Sequence, residues 1–179
     1  MKRRTLVILV AALASLVSIP VGNTDFRITP GIVVMVAGIK LFRFDKVIGF
    51  SFWTGLAVCM ARIAYAAIIG ISISPLLVGS YFLEIFFYIG YGIIYHFAIA
   101  NIRTRYPVPL VVSLVLCDFG GNSLEYLMRF FYASEVWSDT SLLTLLLAAL
   151  TRSVVIILVV WLLQRFGPKS IRTEEVIAS

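Results

Sequence analysis

Five stretches of this chain are each long and apolar enough to cross a bilayer as an α-helix: 4–20, 48–70, 80–101, 108–133 and 141–166. An α-helix of about 20 residues covers the roughly 30 Å of hydrocarbon, and inside it every backbone hydrogen bond must close within the segment or between strands of a closed barrel. A sixth, shorter run at 28–42 opens on Pro30, which suits a first helical turn because its missing N–H has no partner there in any helix. That run is expected to be a short or tilted span. Apolar residues make up 61% of the 179 and charged residues 13%, against roughly 45–50% and 25% in soluble domains. A body this small cannot hide so much apolar surface from water, so lipid covers it. The expected fold is all-α, an integral membrane bundle of six transmembrane helices over 1–166, followed by a short polar tail over 167–179.

The basic residues set the orientation. A formal charge of +6 could signal nucleic acid, but the cations lie between the apolar runs, so no nucleic-acid partner is expected. Lys2, Arg3 and Arg4 precede the first run, and Lys40, Arg43 and Lys46 separate the second from the third. Arg103 and Arg105 separate the fourth from the fifth, and Arg165, Lys169 and Arg172 follow the sixth. With six crossings these eleven residues share one side, while the other three loops hold only Arg27, beside Asp25, Glu135 and Asp139. Lys and Arg near helix ends are retained in the cytoplasm. Both termini are therefore expected in the cytoplasm, with the chain multi-pass in a bacterial inner membrane. Reading 1–20 as a cleaved signal peptide, from its Lys-Arg-Arg start and Ala12 and Ala14, would leave the later spans in the same orientation.

Six ionisable residues lie inside the runs: Arg62, Glu84, Asp118, Glu125, Arg129 and Arg152. Each costs at least about 2–3 kcal/mol near the bilayer centre, so they are expected to face the bundle interior, pair, or line a wet cavity. Counting about 1.5 Å per residue along each helix places Asp118 and Arg152 near the midplane as an ion pair, and the other four in the outer half. Asp118, Asn122, Glu125 and Arg129 follow offsets of four, three and four, which is one helical face. Glu84, Tyr88, Tyr91 and Tyr95 repeat those offsets in the preceding run. Gly120 and Gly121, beside the first stripe, admit a second backbone or a ligand at close range. Arg62, Glu84, Tyr88, Tyr91, Asn122, Glu125 and Arg129 thus form a candidate ligand-binding set, in which tyrosines could stack on a planar molecule. Read structurally, the same charges are internal salt bridges and the tyrosines are packing.

Cys59 and Cys117 sit in apolar runs, and His96 has no acidic or thiol neighbours, so neither a metal nor a cofactor is expected. No nucleotide-binding loop and no nucleophile with its base is present, so the chain is not expected to be an enzyme. Ala11 with Ser15, and Ala14 with Ser18, are small residues four apart on the first run, a spacing that permits close packing on a partner helix.

Several of these features together resemble the six-helix membrane domain at the N-terminus of a group of bacterial sensor histidine kinases. They are the basic start, the small-residue first helix, Val-Gly-Asn-Thr-Asp-Phe-Arg-Ile-Thr-Pro-Gly at 21–31, Thr-Gly-Leu at 54–56 leading to Arg62, and Asp118, Asn122, Glu125 and Arg129. The resemblance covers nearly the whole chain and implies ligand sensing in the membrane coupled to signal transduction. In that group a cytoplasmic kinase domain follows the sixth helix, whereas this chain stops at Ser179, so kinase activity is not carried over. The size, six helices and placement of termini are also similar to the substrate-binding subunits (S components) of energy-coupling-factor vitamin transporters. In those, small residues of the first helix, matched here by Ala11 and Ser15, dock on a coupling module. The expected partners are the lipid bilayer, a small-molecule ligand, and either a cytoplasmic kinase domain or a transporter coupling module. A structural membrane protein without ligand is the remaining alternative.

Overall fold

A computed structural model describes residues 2–17, 19–20, 27–28, 30–100, 109–132 and 142–167. Its helices are α1 (Lys2–Ala14), α2 (Pro30–Phe42), α3 (Val47–Ile68), α4 (Pro75–Tyr95), α5 (Leu110–Tyr132) and α6 (Leu142–Phe166). A π-helical turn, His96–Ala100, extends α4. Between α1 and α2 two short strands, β1 (Ile19–Pro20) and β2 (Arg27–Ile28), pair antiparallel, with Ile19 opposite Ile28. The expected positions of Ser18, Asp25, Arg103, Arg105, Glu135, Asp139, Lys169 and Arg172, and the tail from 168, lie outside the described residues.

The helices form a closed circuit of neighbours: α1 packs on α2 and α3, α3 on α4, α4 on α5, α5 on α6, and α6 back on α2. α3 and α4 run antiparallel, as do α4 and α5. Gly55 of α3 lies against Ile85 and Tyr88 of α4, while Gly92 of α4 lies against Ser51 of α3. Gly90 of α4 lies against Gly120 and Gly121 of α5, and Arg129 of α5 reaches Ser80 of α4.

α3, α4 with its π turn, α5 and α6 are each long and apolar enough to cross a membrane. Their outward faces carry large apolar side chains such as Trp53, Met60, Phe82, Phe130, Leu147 and Trp161. Water would not tolerate such a surface, and the chain is accordingly a multi-pass membrane protein. α4 begins earlier than the apolar run suggests. Ser74 caps it by accepting the Leu77 N–H at 3.1 Å, and Pro75 occupies the first turn.

α1 departs further from expectation, whereas α2 is as short as expected. Each is a 13-residue helix, about 20 Å long, which is shorter than the hydrocarbon. The run 4–20 stops being helical after Ala14: Ser15 and Leu16 form a turn and Ile19 enters the β1–β2 ladder. α2 is buried on nearly every side, with Ile32, Met35, Val36 and Ile39 in the main apolar core. A 10–14-residue apolar helix is more often a core element than a lipid-facing span, and α2 is one. It ends at Arg43, whose φ of 47° supplies the left-handed reversal usually taken by Gly after a helix.

α1 returns antiparallel along α2. Gly38 faces Val7, and Gly31 faces the Ala11 carbonyl and Ser15. The Arg3 and Arg4 guanidiniums consequently lie over the rings of Phe42 and Phe44, at 5.5 and 5.3 Å from the ring centres. Arg4 also approaches Asp45 at 3.8 Å. The first two basic clusters of the sequence thus share one end of the bundle, and the alternation through α3 to α6 brings Arg165 to the same end.

Candidate functional site

Arg62, Glu84, Asp118, Glu125, Arg129 and Arg152 are all buried or half-buried in the bundle, and the six gather in two places. At the end opposite the basic one, α3, α4 and α5 contribute Arg62, Glu84, Glu125 and Arg129. Arg62 pairs with Glu84 through Nη1. Its Nη2 donates to the Ser15 carbonyl just beyond α1 at 3.3 Å, a favourable place for a cation because helix C-termini carry partial negative charge. The Tyr81 ring lies beneath it at 5.9 Å. Arg129 grips Glu125 with two donors, Nε at 2.9 Å and Nη2 at 2.8 Å to the same oxygen. The same guanidinium donates to Oγ and the carbonyl of Ser80 at 3.2 and 3.3 Å, tying the end of α5 to the start of α4. The two pairs also feel each other: Glu84 interacts electrostatically with both arginines, and Glu125 with Glu84 and Arg62. The result is a charge-balanced quartet, with side chains between 8% and 24% exposed.

The second group is sealed. Asp118 of α5 and Arg152 of α6 approach to 3.0 Å with side chains 1% and 4% exposed. Asn122, one turn on from Asp118, donates to its Oδ1 at 2.7 Å and to its carbonyl at 2.9 Å. The Arg152 guanidinium rests over the Phe87 ring at 5.2 Å. Tyr91, Tyr95 and Cys117 surround this pair closely enough to interact with one another or with Asp118. Among the described residues the Tyr91 hydroxyl and Asp118 Oδ2 have no hydrogen-bond partner.

The seven residues read from sequence as one ligand-binding set are therefore divided. Arg62, Glu84, Glu125 and Arg129 form the quartet. Asn122 and Tyr91 belong instead with Asp118 and Arg152. Tyr88 turns its hydroxyl toward Gly31 of α2, where an added Cβ would sit 2.8 Å from it. Neither tyrosine offers a free ring face for a planar ligand, since Phe87 packs edge-on against both, at 5.7 and 6.2 Å between ring centres, and both are buried in the core. These rings fill the interior, as in the packing alternative of the sequence reading. A helical stripe specifies a shared face but not which neighbouring helix each residue meets.

Gly120 and Gly121 admit a backbone rather than a ligand. A Cβ at Gly90 would stand 2.7 Å from the Gly120 carbonyl oxygen, and one at Gly121 would stand 2.8 Å from the Phe87 carbonyl oxygen, so α4 and α5 cross in backbone contact. Ala11 and Ser15 are likewise used inside the chain, 0% and 1% exposed, with the Ala11 carbonyl and Ser15 Cβ against Gly31 of α2. Cys59 and Cys117 are buried free thiols, and His96 begins the π turn with its ring edge-on to Phe97.

Sequence reasoning did not anticipate Ser80, the Ser15 carbonyl, Phe87 or Gly90 in these sites. Gly90 had a readable signal, because a small residue inside an apolar run marks a close helix crossing. The other three had none, being ordinary residues recruited by tertiary position. No protein family, curated protein or solved structure matches this chain.

Proposed function

We propose that the chain is a membrane-embedded sensing domain of a bacterial signalling protein of the histidine-kinase type. In this reading it crosses the inner membrane six times, with both termini in the cytoplasm, and responds to a small charged or zwitterionic molecule reaching the quartet Arg62, Glu84, Glu125 and Arg129 from the outer side. One observation carries it: two arginines and two carboxylates from three helices, Glu125 buried and the others partly exposed, gather in two adjoining pairs at the end of the bundle away from the basic clusters. Buried ion pairs add little stability over apolar packing, so folding alone is a weak reason to keep two of them side by side.

A carboxylate-bearing ligand would compete with Glu84 and Glu125 for the two guanidiniums. It would thereby loosen the ties of α3 to α4 and of α5 to α4. The sealed pair Asp118–Arg152 joins α5 to α6, the helix that leads to the C-terminal tail, and so offers a mechanical route onward. A ligand shifts such an equilibrium only by its difference in affinity for the two arrangements. The six-crossing path is supported by the antiparallel return of α2 along α1 and by the meeting of Arg3 and Arg4 with the α2–α3 link. α2, being surrounded by protein, need not match the bilayer thickness. The transporter-subunit alternative keeps its likeness in size and helix layout, but Ala11 and Ser15, the residues it would use for docking, pack against α2.

Native mass spectrometry of protein purified in mild detergent tests the reading. The expected result is a small-molecule adduct on the wild type that is lost from Arg62→Gln/Glu84→Gln, a variant that keeps the net charge. An adduct retained in full by that variant would contradict the reading.

A further inference from the structure

The basic end of the bundle is more than a scatter of cations. Arg3 and Arg4 on α1, Lys40 in the last turn of α2, and Arg43 and Lys46 in the α2–α3 link lie together around an aromatic stack, with Asp45 as the acidic member among the described residues. Phe42 and Phe44 stack at 5.9 Å, and Phe44 packs on Phe50 at 4.6 Å. The Arg3 and Arg4 guanidiniums lie over the first two of these rings, and Arg43 is held in its left-handed turn between them. Lys40, Arg43 and Lys46 are exposed, as is Asp45. Just beyond Lys46, a Cβ added at Gly49 would meet nothing within 4 Å, and Ile48, Phe52 and Trp53 are exposed beside it. Cations around a fixed rim with a bare apolar strip next to them match the two halves of one molecule, a phosphate headgroup and an acyl chain.

We propose that this end of the bundle binds an anionic phospholipid. Its phosphate would sit among Arg4, Lys40, Arg43 and Lys46, and one acyl chain would run along the Gly49–Trp53 side of α3. Charge complementarity fixes the class of lipid, since among the described residues the patch carries five cations against one carboxylate. The rings beneath Arg3 and Arg4 hold those guanidiniums in place before binding, which reduces the side-chain ordering that binding requires. Retention of basic residues in the cytoplasm accounts for their side of the membrane. It does not account for their convergence on one aromatic stack. This site is separate from the charged quartet, and neither proposal depends on the other.

The test compares the purified protein with phosphatidylglycerol and with phosphatidylcholine in mild detergent, counting bound lipid by native mass spectrometry. The wild type is expected to retain phosphatidylglycerol in preference and to lose that preference as salt rises, because exposed charges are screened over about 10 Å at 0.1 M. Lys40→Gln/Lys46→Gln, two exposed positions whose replacement leaves the core intact, is expected to weaken phosphatidylglycerol binding about fivefold or more. Arg165→Gln, at the same end but on α6, is expected to leave it unchanged. Equal retention of the two lipids by the wild type would overturn the proposal. So would an undiminished preference in the double variant, a loss in Arg165→Gln as large as in the double variant, or displacement of the lipid by inorganic phosphate at equal concentration.

Discussion

The two charged regions of the interior use the same chemistry, arginine against carboxylate, under different conditions. Asp118 and Arg152 form one pair between two helices, sealed by tyrosines and by the Phe87 ring. The quartet joins three helices, is partly exposed, and draws on backbone carbonyls and a serine hydroxyl as further acceptors. In the sealed pair, removing either member leaves the charge of the other in a low-dielectric interior. Members of the quartet have each other, Ser80 and the Ser15 carbonyl. Burial thus separates a fixed strut from an exchangeable junction, although the residue types are the same.

The largest expected effect lies in the sealed pair. Asp118→Asn should destabilise the fold by about 3–5 kcal/mol, whereas the apolar replacement Asp118→Leu/Arg152→Met should come close to neutral, because it strands no charge. Unfolding in mixed detergent micelles measures both, and a double replacement as damaging as the single one would break the distinction. Next comes the crossing that holds the two regions in register. Gly90→Ala puts a methyl group 2.7 Å from the Gly120 carbonyl oxygen, and such overpacking should cost about 1–3 kcal/mol in the same assay. Glu84→Gln should cost about 1 kcal/mol or less, since Glu84 is the most exposed of the quartet and exposed pairs contribute little. Its main consequence should be loss of the ligand-dependent response, read as a thermal shift. Lys40→Gln, outside both regions, should stay within about 0.5 kcal/mol of the wild type.

Much of this division can be read in the sequence. The offsets of Asp118, Asn122 and Glu125 place them on one face, and all three are buried. Counting residues along the helices separates Asp118 and Arg152 from the other four charges, the grouping that the ion pairs also follow. Partners were less legible. Tyr88, Tyr91 and Asn122 share stripes with Glu84 and Glu125, yet their hydroxyl and amide groups meet α2 or the sealed pair, because a helical period gives a face and not a neighbour. The ends of α1 were illegible for a related reason: the residues after Ala14 remain apolar, but Ser15 and Leu16 turn and Ile19 pairs with Ile28. Hydropathy alone cannot distinguish an apolar helix from an apolar strand. The short α2 is covered by its neighbours rather than by lipid, which its apolar composition alone does not reveal.

The contrast between strut and junction is tested most directly by paired double-mutant cycles, Asp118→Asn with Arg152→Gln and Arg62→Gln with Glu84→Gln, measured for unfolding in one detergent system. The expected coupling is at least about 2 kcal/mol in the sealed pair and distinctly smaller in the quartet, where other partners take over. Equal couplings, or the larger value in the quartet, would contradict the account.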